Sequence, residues 1–210
     1  MKKNTKKNIK LIDLVLPNKK INFFIITIIF LGVISGSIFL MMSSESDKVN
    51  VITQIETFFK NISTNSIDNG LALKNSLIIN YLFVGIIWLL GLSMIGVIVN
   101  IFLTYIKGFL VGFSIASIFL TYGYKGILIT LTYVFPSQIL NIIIVSVLSI
   151  YSIMFTKNLL QIIISKHNNR LIIKKYTVIL IMCIISSFVS SLLEVYLFPN
   201  LLKLVVKYYI

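Results

Sequence analysis

The chain has 210 residues, 58% of them hydrophobic and 12% charged, with a mean hydropathy of +1.00. Nineteen Lys and Arg against six Asp and Glu give a net charge of +13. This balance excludes an ordinary water-soluble domain. Because the lysines sit in short flanks between uncharged runs, their charge points to bilayer orientation and anionic headgroups, and away from nucleic acid.

A hydrocarbon core about 30 Å thick needs about 20 apolar helical residues per crossing. The first such run, residues 21–42, follows a basic N-terminus at 1–20 that carries Lys2, Lys3, Lys6, Lys7, Lys10, Lys19 and Lys20. Its length and the weak cleavage context at Ser43-Ser44-Glu45-Ser46 predict an uncleaved transmembrane helix in place of a signal peptide. Gly32 and Gly36, with Ser35 and Ser37, form a small-residue patch suited to close helix approach. Residues 43–76 form a polar extracytoplasmic segment. Within it Val51, Ile52, Ile55, Phe58, Phe59 and Ile62 recur at three- and four-residue spacing, the pattern of an amphipathic interfacial helix.

The second span, 77–105, is too long for a perpendicular crossing and is expected to tilt or to bend at Gly91 and Gly96. Lys107 then reads as a break, followed by a short run at 108–122 in which Gly108 and Gly112 stand four apart. Gly123-Tyr124-Lys125-Gly126 reads as a tight polar turn. The fourth stretch, 127–155, carries Pro136, which predicts a kink or a broken helix. A basic cytoplasmic loop at 156–175 holds Lys157, Lys166, His167, Arg170, Lys174 and Lys175. The fifth span, 176–198, is expected to end at Pro199, leaving an interfacial tail at 199–210. The expected fold is therefore an all-α polytopic membrane protein in one integral domain. It has about five transmembrane helices, kinked or broken near Gly91/Gly96 and Pro136, plus short amphipathic helices. With a cytoplasmic N-terminus, thirteen Lys and Arg fall inside and six outside, as the positive-inside rule favours.

No catalytic constellation, cofactor motif or Cys metal site emerges, and the expectation is a protein that is not an enzyme and needs no cofactor, metal or small-molecule substrate. His167 lies among lysines in a loop, and Cys183 reads as a small core residue. Glu45 and Asp47 sit on a short polar loop. Glu194 differs, because a carboxylate near the end of the last span is costly and therefore a candidate. It is expected to snorkel to the nearby outer interface or to pair with Lys125 in a structural or assembly role, with a transport role as the alternative. The glycines at 91, 96, 108 and 112, together with Pro136, Phe58 and Phe59, complete the assembly candidates.

The order of Trp88-Leu89-Leu90-Gly91-Leu92-Ser93-Met94-Ile95-Gly96, Lys107-Gly108-Phe109-Leu110-Val111-Gly112-Phe113-Ser114, Tyr124-Lys125-Gly126-Ile127-Leu128, Phe135-Pro136, and Leu193-Glu194-Val195-Tyr196 with Pro199 resembles the stage II sporulation protein M family. The similarity spans nearly the whole chain, with Ser137-Gln138 after the proline as a departure from the Gln-Asn of many members. It implies a multi-pass protein of the cell membrane, placed in sporulating cells at the septum and mother-cell membrane. There it would anchor a peptidoglycan-degrading complex, with a lytic transglycosylase and an amidase/endopeptidase as partners, during forespore engulfment. Superfamily members beside circular-bacteriocin genes imply a second role as an accessory component of peptide export or immunity. A small solute transporter is a third reading.

Overall fold

The computed structural model describes residues 18–64, 67–165 and 170–209, and their side chains except at 161–165, 170–172 and 204–209. Lys2, Lys3, Lys6, Lys7, Lys10, Lys166 and His167 lie outside the described residues. Helix α1 spans Lys19–Met42 and begins where the Asn18 side chain accepts from the Lys20 and Ile21 amides. Helix α2, Glu45–Ser63, is capped by Ser44, with a Lys48–Glu45 ion pair at 2.8 Å in its first turn. Helix α3, Asn69–Leu90, is capped by Asp68, whose carboxylate accepts from the Gly70 and Leu71 amides. Each start thus falls on an Asn, Ser or Asp able to take up orphan amides.

Helix α4 runs over Gly96–Tyr122, and a 3-10 turn, Gly123–Lys125, reverses the chain. Gly123 sits at φ +54, which its lack of a Cβ permits. The short helix α5, Gly126–Ile129, passes through a π turn, Thr130–Val134, into α6, Phe135–Ser165. Helix α7, Arg170–Leu192, likewise passes through a second π turn, Leu193–Leu197, into the amphipathic α8, Phe198–Tyr209. Among the described residues no strand occurs. Four helical runs are long and apolar enough to cross a membrane, and the third, Gly96–Leu160, is folded in two at Gly123. The chain is an all-α membrane protein.

Contacts fix the relative directions of the rods. Gly32 approaches Tyr105 and Gly108 while Gly36 approaches Phe109 and Phe113, so α1 and α4 run parallel. Asn80 meets Ser191 and Trp88 meets Tyr176, so α3 and α7 run antiparallel. Ser152 donates to the Ile87 carbonyl and Thr156 to that of Gly91, which makes α3 and α6 parallel. Asn100 pairs with Ser149, and Ile118 packs near Val134, so α4 opposes α6. The five rods α1, α3, α4, α5–α6 and α7 therefore alternate in direction. A core shared by α3, α6 and α7 holds Val84, Ile87, Leu148, Tyr151, Phe155, Tyr176, Ile179 and Cys183. A second cluster, built on Phe59, Ile62, Ile118, Ile129, Val134 and Leu202, fastens α2 and α8 across one end of the bundle, here the cap end.

Four sequence expectations are corrected. The helix is broken near Gly91 and Gly96, as expected, but these glycines do not bend one long span over 77–105. They bracket a chain reversal, because α3 stops at Leu90 and an added Cβ on Gly96 would strike the Leu90 carbonyl oxygen. Lys107 is not a loop break; it is 6% exposed in the middle of α4, with Nζ 5.1 Å from the centre of the Phe83 ring. The basic stretch 156–175 is largely helical, since α6 continues to Ser165 and α7 resumes at Arg170. Pro199 does not end the last helix: the π turn before it widens the backbone, and the helix continues through it.

Candidate functional site

The two π turns share a cause. Tyr133-Val134-Phe135-Pro136 and Tyr196-Leu197-Phe198-Pro199 each place proline two residues beyond a five-residue π segment. Proline has no N–H to donate and its ring crowds the carbonyl one turn back; widening to i→i+5 bonding relieves both. The Phe135 amide accordingly donates to the Thr130 carbonyl, and the Phe198 amide to that of Leu193. Both turns lie at the cap end, so two helices are broken at one level, where their side chains are turned out of ordinary helical register.

Glu194 sits on the second π turn, half-buried. Ser76 Oγ of α3 lies 2.9 Å from Glu194 Oε2 and 3.0 Å from Ser191 Oγ. Asn80 Nδ2 donates to Ser191 Oγ at 2.9 Å. Ser76 Oγ thus has two acceptors for its one proton, the Glu194 carboxylate and Ser191 Oγ, and the charged carboxylate is the stronger of the two. Below it Ser190 Oγ donates to Asn141 Oδ1 at 3.0 Å. Deeper still Asn100, Thr104 and Ser149 form a closed set with contacts of 2.8 and 3.0 Å. A buried polar column thus descends from Glu194 along the bundle axis, each group supplied with a partner as an apolar interior demands.

Two cavities meet at this carboxylate. The larger, about 500 Å³, lies beneath α2 and is lined by Asn61, Asn69, Ser76, Tyr196, Asn200 and Lys203 among others. The smaller, about 270 Å³, is bounded by Ile55, Phe59, Ile118, Val134, Ser137 and Gln138. Phe58, Tyr133 and Glu194 line both. The partition between the cavities therefore takes one residue from α2, one from the first π turn and one from the second. The Phe58 and Tyr133 rings are 5.7 Å apart and tilted by 53°. Such a site can balance a cation, accept hydrogen bonds and hold an apolar group against aromatic faces. Among the described residues no group of three or more His, Cys, Asp or Glu gathers as metal ligands would.

The remaining candidates lie elsewhere. Lys125 is exposed on the 3-10 turn, and Glu194 takes the Ser76 hydroxyl instead of a Lys125 ion pair. Phe59 faces the cluster under the cap, edge-on to Tyr122 at 5.5 Å. Pro136 opens α6 beside the site. Gly91 lies at the opposite end, where an added Cβ would collide with the Tyr176 hydroxyl and Ser152. Gly108 and Gly112 form a seam with α1: side chains there would strike the Ile29 and Val33 carbonyl oxygens, and Ser37 Oγ donates across it to the Gly112 carbonyl at 3.0 Å. Sequence reasoning missed Tyr133, Ser76, Asn80, Ser191 and the buried Lys107. Two signals could have found most of them. One is the repeated Tyr-x-Phe-Pro, and the other is polar residues spaced three and four apart, as at Ser76/Asn80, Ser187/Ser191/Glu194 and Ser149/Ser152/Thr156.

Compared with known protein families, residues 23–199 match SpoIIM, described as Stage II sporulation protein M. No curated protein and no solved structure matches the chain.

Proposed function

This chain belongs to the stage II sporulation protein M family, and on that premise we propose that it is a membrane scaffold for peptidoglycan-degrading enzymes in forespore engulfment. Its membrane location and its sporulation-related family are the ground for this reading. The further step assigns it to the sporulation septum and the mother-cell membrane. There it would anchor a lytic transglycosylase and an amidase/endopeptidase, and perform no chemistry itself.

The observation that carries the reading is the cap. Helix α2 is held rigidly on the bundle by Phe59 and Ile62, while Asn50, Thr53, Gln54, Glu56, Thr57 and Lys60 remain exposed. A polar helix face fixed by a buried aromatic anchor is pre-organised for docking, so a partner loses little entropy in binding it. Across residues 43–76 acids outnumber lysines four to three, in a chain that is otherwise strongly basic. We place this cap outside and the N-terminus in the cytoplasm, with the five rods as five crossings. Twelve Lys and Arg then flank the cytoplasmic ends against six outside, with Lys107 inside the bundle. The test is deletion of the gene in its host with membrane imaging during sporulation. The reading expects arrested engulfment with the hydrolases dispersed from the septum; hydrolases still gathered at the septum would count against it.

A further inference from the structure

The two cavities at Glu194 are not accounted for by a scaffold role, which needs only the outer face of α2. Their construction is specific. Three separate elements each place one residue on the shared partition: Phe58, Tyr133 and Glu194. Glu194 is the one acidic residue lining either cavity, and its hydrogen-bonded neighbour is a neutral hydroxyl. Lys203 lines the larger cavity together with Glu194, and the Lys107 ammonium of α4 also lies within reach of the Glu194 charge, whereas among the described residues the smaller cavity has no basic one in its lining. A carboxylate flanked by two aromatic rings is the pattern that recognises an alkylammonium group, by charge and by the ring quadrupoles together. The smaller cavity supplies Ile55, Phe59, Ile118 and Val134 for an attached apolar portion, while Asn69 and Asn200 of the larger supply polar contacts. The site also lies under two amphipathic helices, the kind of element that settles where headgroups meet acyl chains.

We propose that the paired cavities form a binding site for an ammonium group, centred on Glu194, Phe58 and Tyr133. The group is carried by a lipid headgroup or by a small soluble amine. This goes beyond the scaffold reading and stands or falls separately from it. Glu194→Gln keeps the acceptor for Ser76 and removes the charge. Phe58→Ala, at a residue 36% exposed, removes one ring and keeps the charge.

The test uses the full chain in detergent micelles, with bound lipid counted by native mass spectrometry. Phosphatidylethanolamine and phosphatidylglycerol are the lipid probes, and free ethanolamine is the competitor. Glu194→Gln should lower phosphatidylethanolamine retention about fivefold or more and leave phosphatidylglycerol unchanged, and Phe58→Ala should weaken the first lipid about threefold or more. Displacement of the lipid by millimolar ethanolamine would assign recognition to the ammonium alone, and its persistence would assign it to the lipid. Retention of phosphatidylethanolamine that falls no more than that of phosphatidylglycerol in both variants would overturn the proposal.

Discussion

Substituting Gly112 by alanine tests the α1–α4 seam. The added methyl would meet the Val33 carbonyl oxygen and carbon, which are backbone atoms that cannot rotate aside. The two helices must instead separate by about an ångström, and close-packed interiors resist such shifts at a cost of about 1–3 kcal/mol. Alanine also gains about 1 kcal/mol of helix propensity over glycine, which offsets part of the clash. The obstacle is rigid and the Ser37 bond to the Gly112 carbonyl lies beside it, so the steric cost falls in the upper half of its range. A net loss of about 1–2 kcal/mol is expected. Gly85 supplies the control: it lies in α3 with nothing within 4 Å of an added Cβ, so alanine there should stabilise by about 0.5–1 kcal/mol. The assay is equilibrium unfolding of the full chain in mild-detergent micelles titrated with sodium dodecyl sulfate. Fluorescence of the single Trp88, stacked on Tyr176 at 5.8 Å, reports the transition. If Gly112→Ala moves the midpoint upward as Gly85→Ala does, the close-packed seam is wrong.

Further expectations follow from the buried polar groups. Ser191→Ala removes the acceptor of Asn80 and should destabilise by about 0.6–1.7 kcal/mol in the same titration, the range seen for hydrogen bonds between membrane helices. Lys107→Met should be neutral or stabilising by up to about 2 kcal/mol, because desolvating the ammonium costs more than its attraction to the Phe83 ring and the Glu194 charge returns; a clear loss would mean that those attractions outweigh the desolvation. In a Cys183→Ser background, Lys125→Cys should react with an impermeant maleimide in intact cells, whereas Lys107→Cys should stay unlabelled even after permeabilisation. Aqueous labelling at position 107 would return that residue to a loop.

The apolar runs were legible because a bilayer imposes length and composition on any helix that crosses it. Periodicity likewise sufficed for α2, whose Phe59 and Ile62 face inward as their spacing requires. The sequence misled where a local signal competed with a tertiary one. Lys107-Gly108 looks like punctuation, yet the lysine stem is buried between helices and the glycine serves the approach of α1. The two small-residue patches were each visible, but only the three-dimensional register shows that Gly32 closes upon Gly108, Gly36 upon Phe109 and Gly112 upon Val33. Pro199 looked like a terminator because proline usually stops a helix, and the alternative, a π turn that absorbs it, depends on the Phe-Pro context that Pro136 shares. Glu194 was singled out by the cost of its depth. Its partner was missed because Ser76 lies in another span, 118 residues away.

The central claim is that the polar face of α2 holds wall-degrading enzymes against the membrane. Site-specific photo-crosslinking in sporulating cells tests it most directly, with benzoylphenylalanine at Gln54 on that face and at Ile181 on the apolar, exposed side of α7. The account predicts that position 54 captures a lytic transglycosylase or an amidase/endopeptidase, identified by mass spectrometry, and that position 181 does not. Capture of neither enzyme at position 54, in cells where both reach the septum, would contradict it.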